Sequence, residues 1–285
     1  MGKGDSNQSL SVGVIGTGVL GTQISSFLLS KGARVVLKTR FPKNIEAART
    51  RVEDYVKKRH PEDVEKAVHC LDVTASFHDL AGCDLAIEAS KEDVEIKKAI
   101  FRSLSEVMDG DALLMSNSSS ISIDSIADGT LNPSRCIGFH LFNPVDRMEL
   151  VEIIIGPRSA TIAAEKAMDF ARRIGKHPIQ VKDSPGFIVN RLLLLQLNEA
   201  AKMLEEKVGS VGDIDAAIKL GLKHPMGPFE LADLIGIDIC TDILSVMFES
   251  TKDERYRPSA VMLEMVAKKR LGRKSESGFY EYNRP

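Results

Sequence analysis

Short apolar runs rich in valine, isoleucine and leucine alternate with stretches of helical periodicity along the first two thirds of the chain. Ser11–Ile15 alternates small and β-branched residues, and a glycine-containing turn then leads into a helical pattern over residues 22–30. A second apolar run follows at Arg34–Lys38. A strand, a turn, a helix and a strand within about 30 residues predict a βαβ unit, whose parallel strands require a sheet covered on both faces.

The same alternation continues to Val181 and predicts a Rossmann-type doubly wound parallel sheet of the α/β class. Further strands are expected at residues 84–88, 112–115, 135–140, 150–155 and 179–181, and helices at residues 94–108 and 160–174. Between the second strand and Leu71, the charged residues 45–70 have a helical pattern that is broken at His60 and Pro61. This segment predicts a helical hairpin added to the sheet.

The pattern changes after Val181, where a turn and a helix start follow and no strand pattern appears before the tail. A second, all-helical domain is therefore expected. Its first helix, at residues 187–206, contains the run from Leu192 to Leu195, apolar nearly all round, which is typical of a central helix or a subunit interface. We expect a disordered tail at residues 1–9, the sheet domain at residues 10–183 and the helical domain at residues 184–285.

Composition and net charge restrict the kinds of molecule that this protein is expected to bind and the compartment in which it is expected to occur. The 285 residues include 38 Lys and Arg against 40 Asp and Glu, a formal net charge of −2, so the overall balance indicates neither nucleic acid nor an anionic membrane as a partner. No apolar run approaches the ~20 residues that span a bilayer, and the first residues lack the apolar core of a secretory signal. We therefore expect a cytoplasmic protein.

The cysteines exclude some chemistry as well. Four of them lie far apart, with no CxxC spacing that would indicate zinc or a dithiol redox centre. They are Cys70, Cys83, Cys136 and Cys240. We expect buried, reduced thiols and no metal site.

A glycine turn opens the first helix. Gly16, Gly18 and Gly21 have the GxGxxG spacing directly after a predicted strand. The first glycine permits the tight turn, the second lets a pyrophosphate approach the backbone, and the third lets the helix pack on the strand. The helix N-terminus supplies amide donors and the positive end of a dipole. Dinucleotide binding is therefore predicted, with a purely structural turn as the alternative.

The end of the second strand bears on the choice of cofactor. An acidic residue is expected there to accept hydrogen bonds from the ribose of NAD, but this chain has Thr39, followed by Arg40. No carboxylate repels a 2′-phosphate, and a guanidinium is available to pair with one. The cofactor is therefore predicted to be NAD or NADP. The alternative is that the Thr39 hydroxyl replaces the carboxylate weakly and Arg40 is a solvated surface charge.

His140 and Glu152 form a candidate base and its orienting carboxylate. His140 ends a predicted strand, at the edge where open α/β sheets bind ligands. Glu152 falls in the next predicted strand, on which it can hydrogen-bond the far ring nitrogen. Such a carboxylate fixes the tautomer and stabilises the imidazolium that forms when the ring takes a proton from a hydroxyl. A structural histidine is the alternative.

Two further polar features are candidates for the functional site, and each has a purely structural alternative. The run from Ser116 to Ser120, Ser-Asn-Ser-Ser-Ser, follows a predicted strand and belongs either to the site or to a loop and helix cap. No Gly-x-Ser-x-Gly string surrounds it, which argues against a serine hydrolase. Asn190 lies one turn into the first helix of the helical domain among apolar neighbours, so either a ligand or a nearby backbone group satisfies its amide.

These segments together resemble the L-3-hydroxyacyl-CoA dehydrogenase family, from Leu10 to Tyr282. The resemblance rests on the glycine turn, the serine loop, the string around His140, and residues 183–193, 225–231 and 271–282, in matching order and spacing. It implies a homodimer, formed through the helical domain, that transfers a hydride between the nicotinamide cofactor and C3 of a 3-hydroxyacyl thioester. The chain departs from the family at Thr39 and at Ser90-Lys91, which replace an acid and an apolar pair.

The resemblance also implies roles for individual residues. His140 is the general base on the 3-hydroxyl and Glu152 its partner, while Ser119 and Asn190 position the oxygen atoms of the substrate. Asn117 lies near the nicotinamide, and Glu92 and Lys97 help to hold the cofactor. Lys57, Lys58 and Arg59 resemble in position the basic residues that meet the CoA nucleotide, with a solvated face as the alternative.

The substrate is expected to be a 3-hydroxyacyl-CoA. One alternative has the same chemistry but a different handle, that is, a different carrier of the acyl group. The substrate would then be a hydroxyacyl, glyceryl or seryl group on an acyl carrier protein, which ends in the same phosphopantetheine arm as CoA. Another alternative is a catalytically silent dinucleotide-binding relative. This chain retains all four candidate residues, which argues against a catalytically silent protein: His140, Glu152, Ser119 and Asn190. An apolar pair would stabilise the fold as well as a buried histidine and carboxylate do, so stability alone does not explain their presence.

Overall fold

The computed structural model describes residues 10–282, so the tail predicted at residues 1–9 lies outside the described range. The chain divides into two compact units, the first ending at Ser184 and the second beginning at Pro185. The sequence analysis places this division one residue earlier, between Asp183 and Ser184.

A single sheet forms the centre of the first unit. Its strands are β1 (Ser11–Ile15), β2 (Arg34–Lys38), β3 (Leu71–Thr74), β4 (Leu85–Glu88), β5 (Leu113–Ser116), β6 (Cys136–Leu141), β7 (Leu150–Ile155) and β8 (His177–Lys182). They lie in the order β3-β2-β1-β4-β5-β6-β7-β8. The predicted doubly wound sheet is confirmed.

The sheet is parallel from β1 to β6, whereas β7 pairs antiparallel with β6, and β8 follows β7 in the reversed direction. The sheet is therefore mostly parallel, with its last two strands running opposite to the other six. The connection between β6 and β7, residues 142–149, contains no helix. A parallel crossover needs a dozen or more residues, so this connection can only return the chain antiparallel.

Six helices pack around this sheet. They are α1 (Val19–Ser30), α2 (Ile45–Arg59), α3 (Val64–His69), α4 (Val94–Val107), α5 (Ile123–Ala127) and α6 (Thr161–Arg173). The inner strands are buried on both faces, as a parallel sheet between helices requires, and Val12, Val14 and Ile87 are wholly inaccessible. The predicted helical hairpin is confirmed as α2 and α3, separated by a 3-10 turn at Pro61–Asp63.

Strand β3 was not predicted from the sequence. It is a short edge strand in which Leu71 is buried while Asp72 is exposed and pairs with Arg34 of β2 at 2.8 Å. An edge strand packs fewer side chains into the core and so lacks the apolar run by which the other strands were recognised.

The second unit is all-helical among its described residues, as predicted, apart from isolated bridges of Ser277 with Gly272 and Glu281. Its helices are α7 (Val189–Glu205), α8 (Val211–Leu222), α9 (Pro228–Ile235), α10 (Ile237–Thr251) and α11 (Ala260–Ala267). In the apolar run of α7, Leu194 is buried whereas Leu192 is 68% exposed, so both the core and the subunit-interface interpretation of this run stay open.

The four cysteines are free thiols. Cys83, Cys136 and Cys240 are buried, whereas Cys70 is only half-buried, so the expectation of four buried thiols is wrong for Cys70. Cys70 is the C-cap residue of α3 and packs against the core from one side. Within residues 10–282, none of the helices has the length and apolarity that crossing a membrane requires.

Candidate active site

A cavity of about 780 Å³ lies at the carboxyl edge of the sheet, where β1 and β4 are neighbours. It is lined by the glycine turn, the end of β2, the loop after β4 and one side of α4. The chain passes from β1 outward to β2 and β3 on one side, and from β4 outward on the other. Ligands of doubly wound sheets bind at such a switch point.

The glycine turn has the shape that a pyrophosphate needs. Gly16 has a φ of +115°, and a Cβ there would lie 2.5 Å from the carbonyl oxygen of Ala89. A Cβ on Gly21 would lie 1.9 Å from the carbonyl oxygen of Gly16, whereas one on Gly18 would meet no atom within 4 Å. No side chain caps α1 at Gly18. The turn therefore fits a dinucleotide, with backbone amides at an open, uncapped helix N-terminus.

At the end of β2, the side chains differ in their relation to this cavity. Lys38 and Arg40 line it, whereas Thr39 is 1% exposed and is not a lining residue. The Thr39 hydroxyl is buried and has no hydrogen-bond partner among the described residues. This position does not support the alternative in which that hydroxyl replaces the ribose-binding carboxylate.

A buried ion pair joins β4 to α4 next to the cavity. Lys97 donates to both carboxylate oxygens of Glu88 at 2.9 Å and lies 3.3 Å from Glu92. The carboxylate of Glu88 also accepts hydrogen bonds from the hydroxyls of Ser90 at 2.6 Å and Ser116 at 2.7 Å. Lys97 is 1% exposed, is bound by both carboxylates and is not a lining residue of the cavity.

Glu92 holds the serine loop. One of its oxygens accepts hydrogen bonds from the Ser118 hydroxyl at 2.5 Å and from the backbone amides of Ser119 and Ser120 at 3.0 Å. Burial opposes ionisation of Glu92, but Lys97 and the serine hydroxyls outweigh it, and the pKa of Glu92 lies below its usual range. The loop is thus built around an ionised carboxylate. The cap of α5 is Ser122, outside the serine run.

His140 and Glu152 are directly opposite each other in the antiparallel pair of β6 and β7. The Nδ1 atom of His140 lies 2.7 Å from Oε2 of Glu152. His140 is 6% exposed, Glu152 is wholly buried, and the ring of Phe142 lies 4.5 Å from the imidazole, centroid to centroid. The carboxylate therefore holds the imidazole by its Nδ1 atom and fixes the orientation of the ring.

Amide side chains form hydrogen bonds between neighbouring segments at the carboxyl edge of the sheet. Asn117 is 5% exposed, and its Oδ1 accepts a hydrogen bond from the backbone amide of Leu141 at 2.8 Å. Gln23 of α1 accepts one from the amide of Val145 at 2.9 Å and donates to Asn143 at 3.0 Å. These bonds connect the loop after β5 and the first helix to the segment that carries His140, and so restrict its position.

The remaining predicted residues lie on α2 and α7. Asn190 is the second residue of α7, in the second unit, and is partly buried. Lys57 and Lys58 are exposed at the end of α2, as a solvated face requires. Arg59 instead donates to Asp146, with Nε 2.8 Å from Oδ2, and is therefore already paired within the protein.

Two functional candidates were missed from the sequence. Glu88, a wholly buried carboxylate, binds Lys97, and Gln23 braces the segment after His140. A charged residue at the end of an apolar strand is the signal that points to Glu88. Nothing local indicates Gln23, because its partners lie far along the chain. His60, Glu62 and Asp63 place possible metal ligands within 4.8 Å of one another, but their partial exposure gives no reason to assign a metal.

The fold and this site define a dinucleotide-dependent oxidoreductase: a Rossmann-type sheet with an open glycine turn, and a histidine and carboxylate pair at the same edge. Residues 11–184 match the family model described as 3-hydroxyacyl-CoA dehydrogenase, NAD binding domain, and residues 186–282 match that of the 3-hydroxyacyl-CoA dehydrogenase, C-terminal domain. The chain belongs to the 3-hydroxyacyl-CoA dehydrogenase family. The predicted class of enzyme and its nicotinamide cofactor are confirmed.

Individual relatives agree over nearly the full length. The chain is 38% identical to 3-hydroxybutyryl-CoA dehydrogenase of Clostridioides difficile, covering 96% of this chain and 100% of that protein. It is 37% identical to mitochondrial hydroxyacyl-coenzyme A dehydrogenase of Mus musculus, covering 95% and 90%. The crystal structure of (S)-3-hydroxybutyryl-CoA dehydrogenase from Ralstonia eutropha is similar with a TM-score of 0.91 at 35% identity, covering 97% and 100%.

Proposed function

We propose that this protein transfers a hydride between C3 of a 3-hydroxyacyl-CoA and a nicotinamide dinucleotide, reversibly. The observation that carries the proposal is the buried contact of 2.7 Å between His140 and Glu152, at the carboxyl edge of an NAD binding domain. A general base must lie where the ligand binds and must be held in a fixed orientation. The pairing of His140 with Glu152 across β6 and β7 supports this role.

In the proposed reaction, His140 takes the proton of the 3-hydroxyl at Nε2 while C3 loses a hydride, and the alcohol becomes a ketone. Glu152 stabilises the resulting imidazolium and fixes the tautomer that accepts the proton. The bound nicotinamide supplies the hydride acceptor. In the reverse direction, His140 returns the proton to the oxygen of a 3-ketoacyl thioester.

The remaining predicted residues take positioning roles in this proposal. Ser119 and Asn190 orient oxygen atoms of the substrate, and Asn117 lies near the nicotinamide. Support for Ser119 comes from its loop, whose backbone is held by Glu92 through hydrogen bonds of 3.0 Å. A loop held in this way presents its hydroxyls in a defined direction, which substrate positioning requires.

The handle, the assembly and the compartment are part of the proposal too. CoA is the proposed handle because the relatives act, by their names, on hydroxyacyl-CoA thioesters. A homodimer is proposed through the second unit, supported by Leu192, Leu220 and Leu222, each more than half exposed. The native mass measured by light scattering tests the dimer. We propose the cytoplasm as the compartment.

The test is reduction of the nicotinamide cofactor by (S)-3-hydroxybutyryl-CoA, followed at 340 nm with NAD and with NADP in parallel. Turnover that His140→Gln abolishes, and that His177→Gln leaves unchanged, supports the proposal, because His177 is an exposed histidine of the same sheet. If the CoA substrate is not turned over but a hydroxyacyl group on an acyl carrier protein is, the carrier protein and not CoA carries the substrate. Cofactor binding without turnover of either substrate identifies a silent relative.

A further inference from the structure

The dinucleotide cavity contains cations but no acid. Three of its lining residues carry charge, Lys38, Arg40 and Lys91, and none of the lining residues is an aspartate or glutamate. Asp79 is close along the chain to the lining residue Phe77, but it is not a lining residue and accepts a hydrogen bond from Thr74. None of these three cations is therefore balanced by a carboxylate that lines the cavity.

Lys38 is the most unusual of these cations, because it is buried without a counter-ion. It is 8% exposed, and its Nζ donates to the carbonyl oxygen of Thr39 at 3.1 Å and lies 4.1 Å from the centre of the Phe77 ring. No carboxylate within residues 10–282 forms an ion pair with it, and burial lowers the pKa of Lys38. Burying an ammonium without an anion is costly, and an anion bound in the cavity would offset that cost.

Arg40 also has no carboxylate partner in the described range, in contrast to Arg34, Arg59 and Arg158, which each bind aspartate. It is exposed and stacks on Phe41, with its guanidinium carbon 5.0 Å from the ring centre. A guanidinium with free donor positions can bind a phosphate in bidentate fashion.

The position of these cations in the fold determines which part of the dinucleotide they contact. Lys38 and Arg40 flank the end of β2, which in this fold approaches the adenosine ribose, while the pyrophosphate lies at the glycine turn after β1. A carboxylate at the end of β2 binds the ribose 2′-hydroxyl and repels a phosphate there, whereas an arginine accommodates a 2′-phosphate. The chain has the second arrangement.

We propose that Lys38 and Arg40 bind the 2′-phosphate of an adenine dinucleotide, so that NADP(H) binds to this protein more tightly than NAD(H). The proposal rests on the proposed function for the site and names the form of the cofactor. Lys91, on the loop after β4, adds charge to the same cavity without being required for the contact.

The experiment measures binding alone, so that it does not depend on the hydroxyacyl substrate. Isothermal titration calorimetry on the full chain gives dissociation constants for NADPH and NADH, and for adenosine 2′,5′-bisphosphate and adenosine 5′-monophosphate. We expect the 2′-phosphate to tighten binding at least about tenfold in both pairs, with an advantage that shrinks as salt increases. Equal affinities, or tighter binding of NADH, overturn the proposal even where the dehydrogenase reaction is intact.

Variants assign the effect to its residues. Arg40→Gln is expected to remove most of the advantage of NADPH and to leave the affinity for NADH within about twofold, and Arg40→Glu to reverse the preference. Lys43→Gln is the matched control, because Lys43 is an exposed cation on the same segment that does not line the cavity. Circular dichroism melting checks that each variant folds. An NADPH preference unaltered by Arg40→Glu overturns the assignment.

Discussion

Two parts of the carboxyl edge differ in how their charges are balanced. On the β4–β6 side, which comprises Glu88, Glu92, Lys97, His140 and Glu152, each charged group is bound by another group of the protein. On the β2 side, which comprises Lys38 and Arg40, the cations have no carboxylate partner in the described chain. The first side is balanced without a ligand, as proton transfer in a preorganised site requires, whereas the proposed 2′-phosphate would balance the second.

The largest effect is expected on the β4–β6 side, at the base itself. His140→Gln should lower turnover by on the order of a thousandfold and leave the dissociation constant of the cofactor nearly unchanged, because it removes a general base without touching the cavity. Steady-state kinetics combined with calorimetry separate the two quantities. Unchanged turnover would exclude His140 from the mechanism.

Substitution of the buried lysines tests the comparison directly. Lys97→Met leaves Glu88 buried without its counter-ion and should lower the free energy of unfolding by about 3 to 5 kcal/mol. Lys38→Met removes an unbalanced charge and should change it by less than about 1 kcal/mol, in either direction. Urea unfolding followed by circular dichroism measures both.

The control for these lysines is Lys98→Met, which breaks only a partly exposed pair with Glu95 of the same helix. We expect it to cost less than about 0.5 kcal/mol. If Lys38→Met lowers the free energy of unfolding as much as Lys97→Met does, the two sides do not differ as described. The charge of Lys38 would then be balanced by another group of the protein.

The smallest effect is the response of Glu92 to acid. Its pKa is lowered in the folded protein, so its carboxylate contributes stability that is present above the ordinary glutamate pKa and is lost as the pH falls through the lowered value. The side chain is 36% exposed, which reduces the effect to roughly 0.5 kcal/mol or less. Urea midpoints of the wild type and Glu92→Gln should therefore converge as the pH falls below about 4.5. Parallel pH profiles would show that Glu92 is not stabilised as an anion.

Several parts of the site could be predicted from the sequence because their signals are local. Gly16, Gly18 and Gly21 have a spacing that follows from the turn itself, and His140 stands at the end of a recognisable apolar strand. Glu152 falls in the next apolar run, so its partnership with His140 follows from strand adjacency. These inferences need only the period of side chains along a strand and the direction in which a strand ends.

Other features were harder to predict. Strand β3 has no local signal, because an edge strand needs no apolar run, whereas the reversal of β7 has a signal only in the short connection that precedes it. The orientation of Thr39 away from the cavity, with Lys38 and Arg40 lining it, depends on side-chain packing that the alternation of residues does not specify.

The dinucleotide turn, the candidate base and the order of the elements other than β3 follow from the sequence, because periodicity and turn chemistry act between residues close in the chain. The balance of charges, in contrast, depends on the tertiary structure. Glu88 meets Lys97 of α4 and Ser116 of β5 because β4, β5 and α4 pack together, and Lys38 meets no acid because none lines its cavity. Electrostatic balance depends on distance through space, and the fold alone sets that distance.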